Sequence, residues 1–321
     1  MLPTRRLFLS ILAALSAVAT LPGAAPVRAD SPVSVVATTG MIADAARHVG
    51  GVHVDVRALM GPGVDPHAYR QTRTDIVALA QADLVLWHGL YLEAQMEAFL
   101  LDLARDRAVV AVAEELPADR LLVNPDYPDR ADPHVWMDPQ LWAGVVERVR
   151  GALTEVAPQH ADAFAANAEA HLAEVAALDA YGRSVLGSVP EDRRVLVTAH
   201  DAFAYFGRAY GFEVLGIQGI STESEAGLRR IADLVDLIVE RGIGAVFVET
   251  SVSDRNIRAL VEGAAARGHE VVIGGELYSD AMGPEGSYEG TYVGMIDHNF
   301  STIARALGGE VPARGMQERL N

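Results

Sequence analysis

Four residues of types that ligate transition metals each follow a stretch with strand character. His67 lies in "GVDPHAY", His134 in "DPHVWMDP", His200 in "TAHDAFAYFG" and Asp280 in "ELYSDAMG". Three neutral imidazoles and one carboxylate form a suitable ligand set for a divalent transition-metal ion. Any one of these residues alone would be interpreted as an ordinary loop residue. The set of four predicts a metal site, provided that the fold brings them together.

The elements that must position these residues follow an α/β pattern. Short β-rich apolar runs alternate with longer helical stretches, which is typical of βα units and a mostly parallel sheet. In the first half, strands are predicted at 33–39, 53–59, 83–88 and 108–113, with helices at 40–50, 72–81, 91–105 and 139–156. In the second half, strands are predicted at 194–199, 212–217, 245–250 and 270–275.

An alanine-rich stretch without internal proline separates the two halves, from about Pro158 to Gly187. At 1.5 Å per residue, such a helix is about 40 Å long, close to the length of a domain. The order of elements after it repeats the order before it. We therefore predict two similar α/β lobes, at 30–156 and 190–321, joined by one long linker helix at 157–189.

The four candidate ligands fall at equivalent edges of these lobes. Ligands of open α/β sheets bind in crevices outside the carboxyl ends of the strands. His67 follows the second strand and His134 follows the fourth, after an irregular crossover. His200 follows the first strand of the second lobe, and Asp280 follows its last. The pattern predicts a metal site in the cleft between the lobes.

The remaining histidines receive structural interpretations. His160 and His171 are expected to be solvated on the linker helix, and His88 to be a polar loop residue, with a supporting donor or a spare ligand as its alternatives. Candidates for orienting the ligand imidazoles through their second ring nitrogens are acidic residues near the motifs. These are Asp65, Asp132, Asp138, Asp201 and Glu249; the other histidines expected to be structural are His48, His53, His269 and His298.

The first 29 residues have the features of a cleavable export signal. Two arginines precede an apolar run from Leu7 to Leu21, and small residues precede a cleavage point after Ala29. The stretch "TRRLFLS" fits both general secretion and the twin-arginine route. The chain contains no cysteine. We therefore expect no lipid anchor on an N-terminal cysteine, and a protein free in the periplasm.

Overall charge excludes some partners. The net charge of −17 argues against nucleic acid and against anionic membrane surfaces as ligands. The absence of "HExxH" and G-x-S-x-G motifs gives no support to metalloprotease or serine-hydrolase chemistry. An exported zinc-dependent hydrolase is the alternative to a binding protein, because a metal site alone does not distinguish them.

The four ligand motifs and the late "EGTYVGMIDHN" resemble the zinc- and manganese-binding substrate-binding proteins of ABC importers, known as cluster A-I or cluster 9. The resemblance covers nearly the whole mature chain. It implies two lobes with a rigid linker helix, one Zn²⁺ or Mn²⁺ ion held by His67, His134, His200 and Asp280, and no enzymatic activity. It also implies delivery to a membrane permease with a cytoplasmic ATPase. We expect a monomer.

Two features depart from common members of that family. The segment 115–132 is short and has no histidine, whereas many zinc importers carry a long His-rich loop there. Position 88 is histidine where asparagine is common. Similar sites in that family occur in importers of either metal, so the choice between Zn²⁺ and Mn²⁺ stays open.

Overall fold

The computed structural model describes residues 31–124, 127–224 and 226–320. The predicted export signal, residues 1–29, lies outside these ranges. All the elements given below belong to the compact unit that begins at Pro32. Within the described ranges, no helix combines the length and the apolar character needed to cross a bilayer.

The N-terminal lobe is built on a four-stranded parallel sheet. Its strand order is β2-β1-β3-β4. β2 therefore lies on one side of β1, whereas β3 and β4 lie on the other side. The strands are β1 (Val33–Ala37), β2 (Val54–Ala58), β3 (Leu84–Trp87) and β4 (Val109–Ala111), and the helices are α1 (Gly40–Gly50), α2 (Arg73–Gln81), α3 (Glu97–Leu103) and α4 (Pro139–Val156).

Local chemistry fixes the starts of these helices. The Thr39 side chain accepts a hydrogen bond from the backbone of Ile42 at the start of α1. The Asp138 side chain caps α4, and Pro139 occupies its first position, where a missing N–H has no consequence. α1 and α4 therefore begin directly after Thr39 and Asp138, respectively.

Helix α3 is shorter than its predicted range of 91–105. The backbone takes positive φ angles at Gly89, Leu90 and Tyr91, so the chain turns there and the helix begins only at Glu97. At Gly89 a Cβ atom would lie 2.7 Å from the Glu114 side chain, so this turn requires glycine.

A single helix, α5 (Ala161–Gly187), joins the two lobes. It has 27 residues and packs against α4 on one side and, near its end, against the last helix of the chain. There, Gly182 lies so close to Phe300 that a Cβ atom would approach the ring to 2.5 Å.

The C-terminal lobe consists of two parallel strand pairs with surrounding helices. The strands are β5 (Val195–Thr198), β6 (Glu213–Gly216), β7 (Ala245–Glu249) and β8 (Val272–Leu277). β5 pairs with β6, β7 pairs with β8, and β5 contacts β7. The helices are α6 (Ala204–Tyr210), α7 (Leu228–Arg241), α8 (Arg255–Ala265) and α9 (Tyr292–Ala306).

The largest hydrophobic core includes residues from both lobes and from α5. Trp142 of α4 stacks on Tyr292 of α9 at 4.9 Å between ring centroids, and Phe164 of α5 belongs to the same cluster. The predicted α/β fold, with parallel sheets in two lobes and one long joining helix, is confirmed. The lobe boundaries at 30–156, 157–189 and 190–321 stay a prediction.

Candidate metal centre

The structure brings His67, His134, His200 and Asp280 together, and all four are buried. Each lies in a loop or turn beyond the carboxyl end of a strand: β2, β4, β5 and β8, respectively. One potential ligand atom from each residue lies within 4.8 Å of the others. Two of the side chains come from each lobe, so the cluster lies where the lobes meet.

The distances within the cluster suit a small ion. His67 Nε2 lies 3.3 Å from His134 Nε2. The Asp280 carboxylate lies 3.4 Å from His134 Nε2 through Oδ1, and 3.2 Å from His200 Nε2 through Oδ2. A tetrahedral ion with bonds of about 2.0–2.1 Å separates neighbouring ligand atoms by about 3.3–3.4 Å. These three distances match that separation, two of them through different oxygens of Asp280, and all four donors lie within 4.8 Å of one another.

Two of the imidazoles are oriented by carboxylates behind them. His134 Nδ1 donates to Asp132 Oδ1 at 2.7 Å, and His200 Nδ1 donates to Glu249 Oε2 at 2.5 Å. Each carboxylate also accepts the backbone N–H of the same histidine, at 2.9 Å in both cases. These bonds direct Nε2 of both rings toward Asp280, the arrangement that ligand histidines adopt in metal sites.

The His67 loop is held in a different way. Asp65 accepts the backbone N–H of His67 at 2.8 Å through Oδ1. Its other oxygen, Oδ2, accepts a hydrogen bond from the Thr222 hydroxyl of the C-terminal lobe. Asp65 therefore links the loop of one candidate ligand to the opposite lobe.

The pKa values of these groups differ because the imidazoles lie in different electrostatic environments. Burial lowers the pKa of His67 to about 3. Burial also disfavours the charged form of His134, but Asp132 and Asp280 outweigh it and raise the pKa to about 9. His200 likewise has a pKa well above its ordinary value, since Asp280 and Glu249 overcome its burial. In the metal-free protein, His134 and His200 hold protons in the position where a cation would bind.

Two atoms at the centre of the cluster, Asp280 Oδ1 and His200 Nε2, make no well-directed hydrogen bond among the described residues; their contacts are the ion pairs with His134 Nε2 at 3.4 Å and with Asp280 Oδ2 at 3.2 Å, which require protonated rings. Buried polar atoms are almost always paired, and leaving one unpaired costs about 1–3 kcal/mol. A metal ion at the centre would satisfy both atoms.

His88 is a buried structural donor, so its interpretation as a simple polar loop residue is wrong. Burial lowers the pKa of His88 to about 3, and its neutral ring donates through Nε2 to the Pro133 carbonyl at 2.7 Å. Its ring also lies edge-on to Trp136, whose indole N–H donates to the Ser279 carbonyl at 2.8 Å. His88 thereby supports the turn that carries His134.

A tyrosine from the opposite lobe supports the same turn, and the sequence patterns did not identify it. The Tyr205 hydroxyl donates to the Asp132 carbonyl at 2.8 Å and accepts the backbone N–H of Leu122 at 3.0 Å. Tyr205 was visible only as an aromatic residue beside His200. No short sequence motif connects it to Asp132, which is 73 residues away.

Among the five predicted supporting acids, the described hydrogen bonds connect only some to the candidate ligands. Asp132 and Glu249 contact imidazoles, and Asp65 contacts the His67 backbone. Asp138 instead caps α4, and no described hydrogen bond joins Asp201 to a ligand imidazole.

The expectation that His171 is solvated is wrong. Its side chain is buried, and its ring stacks on that of His48 at 4.3 Å between centroids. Alanine-rich sequence left the buried face of α5 undefined, because small side chains on all sides give a weak apolar stripe. His160, which directly precedes α5, stacks on His53 at 3.9 Å.

The chain is similar to a known protein family and to known proteins over most of its length. The profile of the ZnuA family, described as "Zinc-uptake complex component A periplasmic", matches residues 35–306. The manganese-binding lipoprotein MntA of Bacillus subtilis (strain 168) is 50% identical over 279 residues, which cover 87% of this chain and 91% of MntA. The zinc-binding protein TroA of Treponema pallidum (strain Nichols) is 46% identical over 285 residues, which cover 89% of this chain and 92% of TroA.

A solved structure supports the same relationship. The structure of the periplasmic zinc-binding protein TroA from Treponema pallidum superposes with a TM-score of 0.84 at 46% identity. The superposition covers 86% of this chain and 99% of the TroA chain. The similarity therefore includes both lobes and the helix between them.

Proposed function

This chain belongs to the ZnuA family of metal-binding, substrate-binding proteins of ABC importers, and we propose that its own task is to capture one divalent transition-metal ion between its lobes. The proposed ligands are His67, His134, His200 and Asp280. The proposed partner is an importer permease in the inner membrane with a cytoplasmic ATPase.

The observation that carries this proposal is the position of the four donors. They are buried, they lie within 4.8 Å of one another with three separations of 3.2–3.4 Å, and two come from each lobe. An ion held in this way can leave only if the lobes separate enough to break part of the ligand set. A permease that pulls the lobes apart on docking would therefore release the ion.

The relatives do not decide which metal is carried, because one is named for manganese and another for zinc. We propose that Zn²⁺ binds more tightly than Mn²⁺ in solution, since nitrogen ligands and the Irving–Williams order both favour zinc. A bidentate Asp280 would supply the additional oxygen that Mn²⁺ prefers. Delivery in the cell then depends on which ion is available.

We further propose that the protein has no enzymatic activity. A catalytic zinc ion keeps one coordination position open for water and needs a nearby base. Here four side chains supply four donors. Asp132 and Glu249 are the nearest supporting acids, and both already hold the ligand imidazoles.

For localisation, we propose export by the signal at residues 1–29 and a soluble protein in the periplasm. MntA of Bacillus subtilis is named a lipoprotein, whereas none of the 321 residues here is a cysteine that could carry a lipid. Fractionation of cells and N-terminal sequencing of the product test this directly. Recovery in the soluble periplasmic fraction with Asp30 as the first residue is expected, and recovery with membranes would contradict it.

Uptake by cells tests the transport function. In cells that lack this gene, we expect ⁶⁵Zn²⁺ or ⁵⁴Mn²⁺ uptake from a metal-poor medium to be reduced, and to be restored by the wild-type gene. The His200→Ala variant should not restore uptake, whereas the His269→Ala variant should, because His269 lies outside the cluster. Full restoration by His200→Ala would overturn the proposal.

A further inference from the structure

A second group of metal-binding side chains lies outside the cleft, at the junction of α1 and α5. Asp44 and His48 are four residues apart on α1, and therefore share one helix face. His171 lies opposite them on α5. One potential ligand atom from each of these three residues lies within 4.8 Å of the others.

The bonding of this group leaves donor atoms available. Asp44 accepts the backbone N–H of Tyr292 through Oδ2, and its Oδ1 lies 3.5 Å from His48 Nδ1. His48 Nδ1 also donates to the Asp44 carbonyl at 3.0 Å, and its hydrogen bond with Asp44 raises the pKa of His48 to about 9, so an ion that binds at Nε2 displaces a proton. Glu174, one turn along α5, brings a second carboxylate to 3.5 Å from His171 Nδ1.

His171 is the observation that indicates a ligand. Its side chain is 1% exposed, yet neither ring nitrogen has a hydrogen-bond partner among the described residues. An imidazole buried in this state carries a free-energy penalty that a hydrogen bond or a bound cation would remove. His48 and Glu174, at 38% and 52% exposed, form an open edge through which an ion could enter.

From this geometry we propose that Asp44, His48 and His171, with Glu174 beside them, form a second and weaker site for a divalent transition-metal ion such as Zn²⁺. Two imidazoles with carboxylate oxygens suit such an ion, and water can complete its shell. A filled site would tie α1 of the N-terminal lobe to the linker helix. The proposal does not depend on the metal site in the cleft.

The present ring arrangement explains why this site is weaker. The rings of His48 and His171 are only 16° from parallel, so one ion cannot lie in the planes of both. One ring must turn for both to bind the ion. His48 is the ring that can turn because it is partly exposed, whereas His171 is enclosed. Binding must therefore break the stack before both imidazoles can act as ligands.

Zinc titration of the chelator-stripped protein, followed by calorimetry, tests the proposal. We expect the wild type to bind one ion tightly and a second ion more weakly. His48→Ala should weaken the second step by about 100-fold or more and leave the first step unchanged. The matched control His160→Ala removes an imidazole of the neighbouring stacked pair and should retain both steps.

Two results would overturn the proposal: a single binding step in the wild type up to millimolar Zn²⁺, or a second step that survives His48→Ala. The His200→Ala variant separates the two sites, because it should lose the tight step and keep the weak one. If the wild type lacked the tight step but kept a weak step sensitive to His48→Ala, the proposed function would fail and the second site would stand.

Discussion

At the scale of single residues, the candidate metal centre is organised by carboxylates that do not face its middle. Asp132 and Glu249 each accept two hydrogen bonds from one histidine, one from the backbone and one from the ring. Each acid thus fixes both the loop and the direction of the imidazole. Because these ligand atoms are already held in place, metal binding costs less conformational entropy.

Replacement of one of these acids should therefore weaken metal binding without removing a ligand. We expect Glu249→Gln to lower metal affinity by about 10–100-fold while one ion still binds. Glu262→Gln, which removes the same charge from an exposed position on α8, is the matched control. Calorimetry on both variants checks this, and equal affinities would show that Glu249 does not orient His200.

The raised pKa values of His134 and His200 predict that metal binding is linked to protons. Both rings are protonated at pH 7 in the metal-free protein, whereas a ligand imidazole must be neutral. Metal binding at pH 7 should therefore release protons, and affinity should rise with pH up to about 9. Calorimetry in buffers of different ionisation enthalpy measures this release. An affinity independent of pH between 6 and 9 would contradict it.

The raised pKa of His134 has the opposite consequence for the metal-free protein, because its free energy of unfolding falls as the pH rises. Because the folded-state pKa of His134 is above the ordinary value of about 6.5, its contribution to stability is fully present below pH 6.5. That contribution is lost as the pH rises through about 9. The same deprotonation raises metal affinity, so the stabilisation of the fold by bound metal should increase with pH.

The positions of the four candidate ligands were predictable from sequence because each follows a strand, and carboxyl ends of parallel strands share one edge. The residues that hold these ligands in position were less predictable. Tyr205 acts across 73 residues, and His88 supports a carbonyl 45 residues away. Such contacts depend on how the lobes pack, which local sequence patterns do not encode.

At the scale of elements, the range of α5 was predictable from sequence, but which of its residues become buried was not. Its range of 161–187 lies inside the predicted 157–189. It packs against α1, α4 and α9, and His171 is buried where it stacks on His48 of α1. An alanine-rich helix with three partners has no single apolar stripe that would predict which residues become buried.

The contact between α5 and α9 makes a prediction about Gly182. A Cβ atom at this position would lie 2.5 Å from the Phe300 ring, which is fully buried and cannot move aside easily. Gly182→Ala should therefore lower the free energy of unfolding by about 1–3 kcal/mol, despite the better helix propensity of alanine.

Gly151→Ala on α4 is the matched control for that substitution. Its nearest neighbour would be the guanidinium of Arg148 at 3.4 Å, which is an ordinary contact with a flexible side chain. This variant should be neutral or slightly stabilised. Urea unfolding measures the free energy of unfolding of both variants. Equal stability of the two variants would mean that α5 and α9 are less tightly packed than described.

At the scale of the whole molecule, the two lobes share one core around α5. Wide separation of the lobes would expose buried aromatic residues such as Trp142, Tyr292 and Phe300. Ion entry and release must therefore use small displacements near the cleft. The contact between Thr222 and Asp65 is a candidate for controlling them, because it joins the C-terminal lobe to the His67 loop.

Thr222→Val removes this hydrogen bond and keeps the shape of the side chain. A hydrogen bond is worth about 1 kcal/mol net, so the dissociation rate of the metal should rise about fivefold with unchanged stoichiometry. Thr154→Val on α4, whose hydroxyl donates to the Arg150 carbonyl away from the cleft, is the control. Stopped-flow transfer to a chelator measures both rates, and an unchanged rate for Thr222→Val would exclude this control of release.

Anomalous diffraction from crystals of the protein loaded with one equivalent of Zn²⁺ is the most direct test of the metal centre. We predict one peak at the zinc edge, about 2.0–2.2 Å from Nε2 of His67, His134 and His200 and from a carboxylate oxygen of Asp280. A peak bonded to fewer than three of these residues, or located elsewhere in the molecule, would contradict the four-residue site.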